Sequence, residues 1–470
     1  MTRLYSIILF ISISLFAINI YALNDTLKVD STYIKLIENM TVERIIFIGN
    51  DKTHDDVILR EMKTKEGEKL NLQNLENDIK RLYNLGLFNR INVVPAPLTS
   101  DKINLVFEFE EMFYFMPVPQ GGMKEGSIKK IWGGLNFQWK NFHGKNQTIN
   151  LSFGLGYEPF ISAGFVNPWI FGKHHFFYQF GIKYARNYPR VTGPLDSTAN
   201  YYLKEDLPTY TLDNFQTDLR FGKFYGDFLS ISGIFSFNSY STSQYQEGMT
   251  VSKSGVDNYP TFTFDFNYDT RDYRKFATYG SFYYLSYSRI GFFSDLFDIN
   301  KFRTDLRRYI PIKIKNDYAI VLSARYSSVI TFGGGDLPVY LRENLGYSEI
   351  LRGWNNYIFE GEDKVLGSLE LRIPVVMPFY IKGKDHIILR KLPVFKQLSY
   401  RYGMYATLFF DVGGVWGRKE RIYDSQFKNG YGIGLNFLLP FDFVGRTDFA
   451  LRKMDSKYHG QVVVSLDASF

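Results

Sequence analysis

Residues 149–157 read INLSFGLGY, with Ile149, Leu151, Phe153, Leu155 and Tyr157 alternating with Asn150, Ser152, Gly154 and Gly156. A β-strand sends successive side chains to opposite faces, so this stretch has one large apolar face and one small polar face. The pattern recurs. In FFYQFGIKY, Phe176, Tyr178, Phe180, Ile182 and Tyr184 oppose Gln179, Gly181 and Lys183. In TFTFDFNYD, Phe262, Phe264, Phe266 and Tyr268 oppose Thr263, Asp265, Asn267 and Asp269, and in GYGIGLNF, Tyr431, Ile433, Leu435 and Phe437 oppose Gly432, Gly434 and Asn436. The inner faces of a water-soluble sandwich favour Val, Ile and Leu. Here the apolar face is rich in aromatics and the opposite face carries Gly, Asn and charge, which fits a lipid-facing exterior around a wet lumen. Past the N-terminus no segment reaches the roughly eighteen apolar residues of a spanning helix. A chain that crosses a membrane this way crosses as strands, and in lipid the strands must close into a barrel.

Composition agrees. Of 470 residues, 18% are aromatic (44 Phe, 35 Tyr) and 39 are Gly. Mean hydropathy is only −0.18, as lipid-facing and lumen-facing residues cancel. The absence of Cys excludes disulfides, thiolate metal sites and Cys nucleophiles. A net charge of +7 without a Lys/Arg run gives no reason to expect nucleic acid.

The first 22 residues place Arg3 before an apolar run ending at Ala22, the layout of a secretory signal peptide. Residues 23–40 read as a linker. Residues 41–112 then read β-α-α-β-β. TVERIIFI is a strand. A helix is expected from a Thr53–Asp56 capping box to Gly67, and a second carries Leu72, Leu75, Ile79 and Leu82 and stops at Gly86. NRINVVP and KINLVFEFEE follow as strands. Arg90, Ile91, Asn92, Val93 and Val94 are expected at a sheet edge, free to bind extended segments by strand addition and ended by Pro95. From 113 to 470 helical periodicity vanishes. About sixteen runs of roughly ten residues fit a transmembrane antiparallel barrel. Long inserts fall near 188–211, 241–257, 333–364 and 376–403.

The order IxIxGN, LYNLGLF and FEFEE in residues 41–112 resembles a POTRA domain, a periplasmic module that precedes outer-membrane barrels. The barrel resembles the bacterial surface antigen type of the outer-membrane assembly-factor superfamily (BamA/TamA-like). GGLNFQWKNFHGKN (133–146) and FVNPWIFGK (165–173) are similar to its early strands and turns. DTRDYRKFATYG (269–280) is similar to its charged periplasmic turn, with Asp269, Arg271, Asp272 and Gly280 in place and Ala277 where the family usually has Pro. LRGW (351–354) resembles the tip of a long loop that folds into the lumen, and LELRIP (369–374) and FFDVGGVW (409–416) resemble the strands that receive it. The resemblance implies a latch. Alternation turns Glu370, Arg372 and Asp411 inward, so Arg352 meets Glu370 and Asp411 while Gly353 turns the chain and Trp354 wedges against the wall. The C-terminal VVVSLDASF, ending in Phe470, resembles an assembly signal.

Enzymatic readings find little support. The six His, at 54, 143, 174, 175, 386 and 459, sit in no G-x-S-x-G or H-E-x-x-H context. No cofactor or metal site is expected. The resemblance implies an outer-membrane assembly or insertion factor. Its partners would be lipid, unfolded barrel clients and periplasmic lipoproteins. Two-partner-type secretion of one protein and a structural or porin-like role remain open.

Overall fold

The computed structural model describes residues 37–123, 128–189, 195–199, 201–202, 210–294, 296, 298–315, 318–346, 349–355, 357–387, 389–391, 399–422, 425–439 and 443–465. The expected leader, most of the linker and Phe470 lie outside the described residues.

The N-terminal region contains β1 (Thr41–Ile48), α1 (Asp55–Leu59), α2 (Leu72–Asn84), β2 (Phe88–Pro97) and β3 (Lys102–Glu111). Its sheet order is β1-β3-β2, with β1 parallel and β2 antiparallel to β3. Val42, Val57, Ile58, Leu70, Leu82, Leu87, Ile103, Leu105 and Phe107 are buried between the helices and the sheet. Two local expectations fail for tertiary reasons. The Thr53–Asp56 capping box does not form. His54 holds the N-cap position without a side-chain bond, and the Thr53 amide and hydroxyl donate to the Glu111 carboxylate at 2.7 and 2.5 Å. The first helix also stops at Leu59 rather than near Gly67. The buried Asp78 carboxylate accepts the Lys63 and Thr64 amides, both at 2.8 Å, and so draws that segment out of a helix.

The rest is an antiparallel barrel sheet. Its strands are β4 (Phe115–Met123), β5 (Ile131–Phe142), β6 (Gln147–Gly156), β7 (Phe160–Ile170), β8 (Phe176–Asn187), β10 (Leu212–Tyr225), β11 (Leu229–Thr242) and β12 (Val256–Asp269). They continue through β13 (Gly280–Ile290), β14 (Asp298–Lys315), β15 (Tyr318–Gly334), β18 (Asp363–Lys382), β19 (Ser399–Trp416), β20 (Lys428–Leu438), β21 (Val444–Met454) and β22 (Lys457–Ser465). Each pairs with its neighbours in chain order, giving 16 strands from β4 to β22. Among the described residues no ladder joins β4 to β22. The short β9 (Tyr201–Tyr202), β16 (Glu343–Leu345) and β17 (Tyr357–Gly361) form a separate three-stranded sheet from two of the long inserts.

Burial is inverted relative to a water-soluble core. Leu155, Ile161 and Phe264 are 65%, 61% and 50% exposed, whereas Asp265, Arg372 and Asp411 are 1%, 0% and 1% exposed. The polar side chains fill the lumen. No helix among the described residues is long and apolar enough to cross a membrane. Strands β14, β15, β18 and β19 run 18, 17, 20 and 18 residues. That exceeds the 9–11 or so needed to span a bilayer, so this side of the barrel also forms a tall wall for a loop to pack against.

Candidate functional site

The insert between β15 and β18 returns into the lumen and carries Arg352 at its tip. Arg352 donates from Nε to Asp411 Oδ2 at 2.6 Å and from Nη2 to Asp411 Oδ1 at 2.6 Å, a parallel two-bond fork. Its Nη1 donates to Glu370 Oε1, and its backbone amide reaches Asp411 Oδ2 at 3.2 Å. The guanidinium lies 3.9 Å from the centroid of the Phe409 ring. Alternation explains the convergence. Asp411 on β19 pairs in register with Ser368 on β18, two residues from Glu370, and all three side chains face inward.

Gly353 has φ +88°, a conformation that an L side chain rarely adopts. Its carbonyl accepts from Arg452 Nη1. Trp354 is buried among Leu345, Leu351, Phe359, Leu366 and Val415, and its indole N–H donates to the Asn429 carbonyl at 2.8 Å. Gly430 makes room for the tip, because a Cβ there would stand 1.8 Å from the Arg352 carbonyl oxygen. Phe409 and Gly430 lie in segments that read as strands in the sequence, but only the docked loop assigns these two residues a role.

The network continues beyond the latch. Arg372 donates from Nε to Glu370 Oε2 at 2.8 Å and from Nη1 to the Ala277 carbonyl at 2.7 Å, with its guanidinium 4.3 Å from the Phe276 ring. Ala277 belongs to the charged turn between β12 and β13. In that turn Arg271 forks onto Asp269 with two bonds of 2.9 Å. The Asp272 carboxylate accepts the amides of Thr278 and Tyr279 at 2.8 and 3.2 Å. Gly280 has φ +100°, and a Cβ would sit 2.2 Å from the Thr270 carbonyl oxygen. Asp411, Arg352, Glu370 and Arg372 thus form a buried chain of alternating charge from the loop tip to this turn.

The shank of the loop has its own anchors. Glu343 meets Lys301 at 2.7 Å and Lys364 at 2.9 Å, and Glu349 meets Lys364 at 2.9 Å and Arg325 at 2.5 Å. β17 also pairs with β9 from the 188–211 insert. The sequence offered no signal for these pairs, because the partners lie on β14, β15 and β18 at separations that no short motif encodes.

The N-terminal domain rests on the barrel end nearest to it. The His54 amide donates to the Gly144 carbonyl at 3.0 Å, and Asn141 Nδ2 donates to Thr53 Oγ1 at 2.8 Å. The Arg60 guanidinium lies 4.6 Å from the Trp169 ring. β2 is an edge strand of its sheet, with Arg90 to Val94 within it, but it runs on through Pro95 to Pro97. The two sides of this edge differ. The Leu98 amide donates to the Lys102 carbonyl, so in this register the even residues Asn92, Val94 and Ala96 turn their backbone groups toward β3. Val93, Pro95 and Pro97 face outward, and the outward Ile91 amide already meets the Tyr83 hydroxyl at 2.9 Å. Between Ile91 and Pro97 the open edge therefore has a single spare N–H, on Val93. Asn92 is not part of the open edge.

Comparison with known proteins places this geometry. The Omp85 superfamily domain matches residues 141–385, and the surface antigen variable number repeat, or POTRA, matches residues 40–112. Outer membrane protein assembly factor BamA of Nitratidesulfovibrio vulgaris is 22% identical over 88% of this chain and 49% of its own length. BamA of Neorickettsia risticii is 22% identical over 92% of the chain and 55% of its own. The chain therefore spans about half the length of these curated relatives. In fold it resembles BamA from Haemophilus ducreyi lacking POTRA domains 1–3, with TM-score 0.61 and 17% identity over 91% of this chain and 84% of that one. It also resembles CdiB from Acinetobacter baumannii, with TM-score 0.56 and 13% identity over 91% of this chain and 74% of that one.

Proposed function

Because the chain belongs to the Omp85 superfamily, we propose that it is an outer-membrane protein assembly and insertion factor. In this reading residues 41–112 are a POTRA domain in the periplasm and residues 113–470 are a barrel in the bacterial outer membrane. The POTRA domain captures extended client segments and the barrel aids their insertion, without a chemical step. The lipid bilayer, unfolded barrel clients and periplasmic lipoproteins are its partners. The carrying observation is the Arg352 tip, forked onto Asp411 and buried beside Glu370 in the lumen. A barrel whose lumen holds its own latched loop is poorly suited to be an open pore, and the arrangement directs work to its wall and its POTRA end.

The test is depletion of the protein followed by a quantitative inventory of outer-membrane proteins. Broad loss of barrel proteins supports the proposal. Loss of one secreted protein favours two-partner-type secretion, and an unchanged inventory favours a structural role.

A further inference from the structure

The first barrel strand, β4, reads FMPVPQGGM and carries Pro117 and Pro119. Its register with β5 is unbroken from Phe115–Trp139 to Met123–Ile131. The Lys140 amide donates to the Tyr114 carbonyl at 2.8 Å, so in this register the even residues of β4 turn their backbone groups toward β5. The odd residues, Phe115, Pro117, Pro119, Gly121 and Met123, turn theirs away from β5, toward the side where no ladder to β22 is present among the described residues. The β5–β6 pair agrees independently. There Tyr157 donates to Ile131, which places the odd residues of β5 on its β6 side and leaves the even ones for β4.

Both prolines therefore sit where their missing N–H falls on the side away from β5, so neither costs β4 a rung to that neighbour. Over Pro117 and Pro119 that side offers carbonyls alone. It offers both donor and acceptor at Phe115, then again only at Gly121 and Met123. At lipid depth an unpaired backbone group is costly, so a strand laid along the proline half would leave two of its own carbonyls unsatisfied. The same device stands on another sheet edge among the described residues, where Pro95 and Pro97 face outward from β2.

We propose that Pro117 and Pro119 set the register and length of any extended client strand that adds to β4, confining consecutive two-way pairing to its Gly121–Met123 end and isolating Phe115. The occupant is an amphipathic barrel strand of a client, so the proposal rests on the assembly reading and refines it. The prolines are a specificity device. They keep β4 from templating a full-length strand beginning at the end nearest the POTRA domain, and they block runaway pairing along an edge that lipid would otherwise drive to completion.

The chain has no Cys, which makes disulfide mapping direct. Single Cys residues are placed at Met116 or Val118 in the proline half and at Gln120 or Gly122 in the far half. The probe is a peptide with the sequence of residues 457–470, with one Cys walked along it, added to the full chain in liposomes. The expected result is an alternating cross-link register at 120 and 122 and little at 116 and 118. In the Pro117→Thr/Pro119→Thr protein, checked for folding by its heat-dependent gel mobility, the register extends to 116 and 118 with yield rising about tenfold. A register covering all four positions in the natural chain overturns the proposal. So does an unextended register in the variant, or no cross-link in either protein. None of these outcomes depends on the depletion inventory, so the proline limit and the assembly role can fail separately.

Discussion

At the residue scale the latch is an arginine between two carboxylates, one of which has a second cation. Replacing Arg352 with Ala strips Asp411 of its fork, whereas Glu370 keeps Arg372 at 2.8 Å. Breaking a buried pair costs about 3–5 kcal/mol, and a wet lumen lowers that. The Arg352→Ala barrel should therefore fold. Glu343 and Glu349 still hold the shank through Lys301, Lys364 and Arg325, so loosening should be confined to the tip around 350–357. Limited proteolysis in isolated membranes checks this: new cuts should appear at the tip and none near 343–345. Arg352→Lys should recover only part of the protection, because an ammonium cannot fork onto Asp411. Gly430→Ala gives an orthogonal test. Its Cβ would collide with the Arg352 carbonyl, so it should expose the tip to the same protease with every charge retained.

At the element scale, side-chain alternation was legible and backbone parity was not. Period-2 patterning assigns Glu370 and Asp411 to the lumen because facing depends on the strand alone. Which side of β2 or β4 a given N–H points to depends on the partner's register, which only the assembled sheet defines. That is why Asn92 looks like an edge donor in the sequence while Val93 is one in the structure. The Thr53 capping box fails for a related reason, since a distant carboxylate, Glu111, outcompetes it for the Thr53 hydroxyl. The consequence is measurable. Asn92→Pro removes a rung to β3 and should destabilise the N-terminal sheet by about 1–3 kcal/mol. Val93→Pro should leave that sheet folded and remove its one spare outward donor. Thermal unfolding together with cross-linking to an extended client peptide separates the two. Retained cross-linking in a folded Val93→Pro protein would remove β2 from the client path.

At the scale of the whole molecule, the N-terminal domain is seated on the turns at 141–146 and near Trp169, which fixes the polarity of the barrel relative to it. Under the proposed topology, single-Cys variants in 243–255 should react with an impermeant thiol reagent on intact cells. Those in 270–279 should react only after the outer membrane is opened. The reverse pattern would invert the molecule in the membrane. The assembly reading itself is tested most directly by reconstitution. The full chain is placed in liposomes, a urea-denatured outer-membrane barrel is added, and folding of that client is followed by its heat-dependent gel mobility. The expected result is client folding well above the rate in protein-free liposomes, falling toward that baseline with Arg352→Ala. A client that folds no faster with the protein than without it contradicts an assembly role.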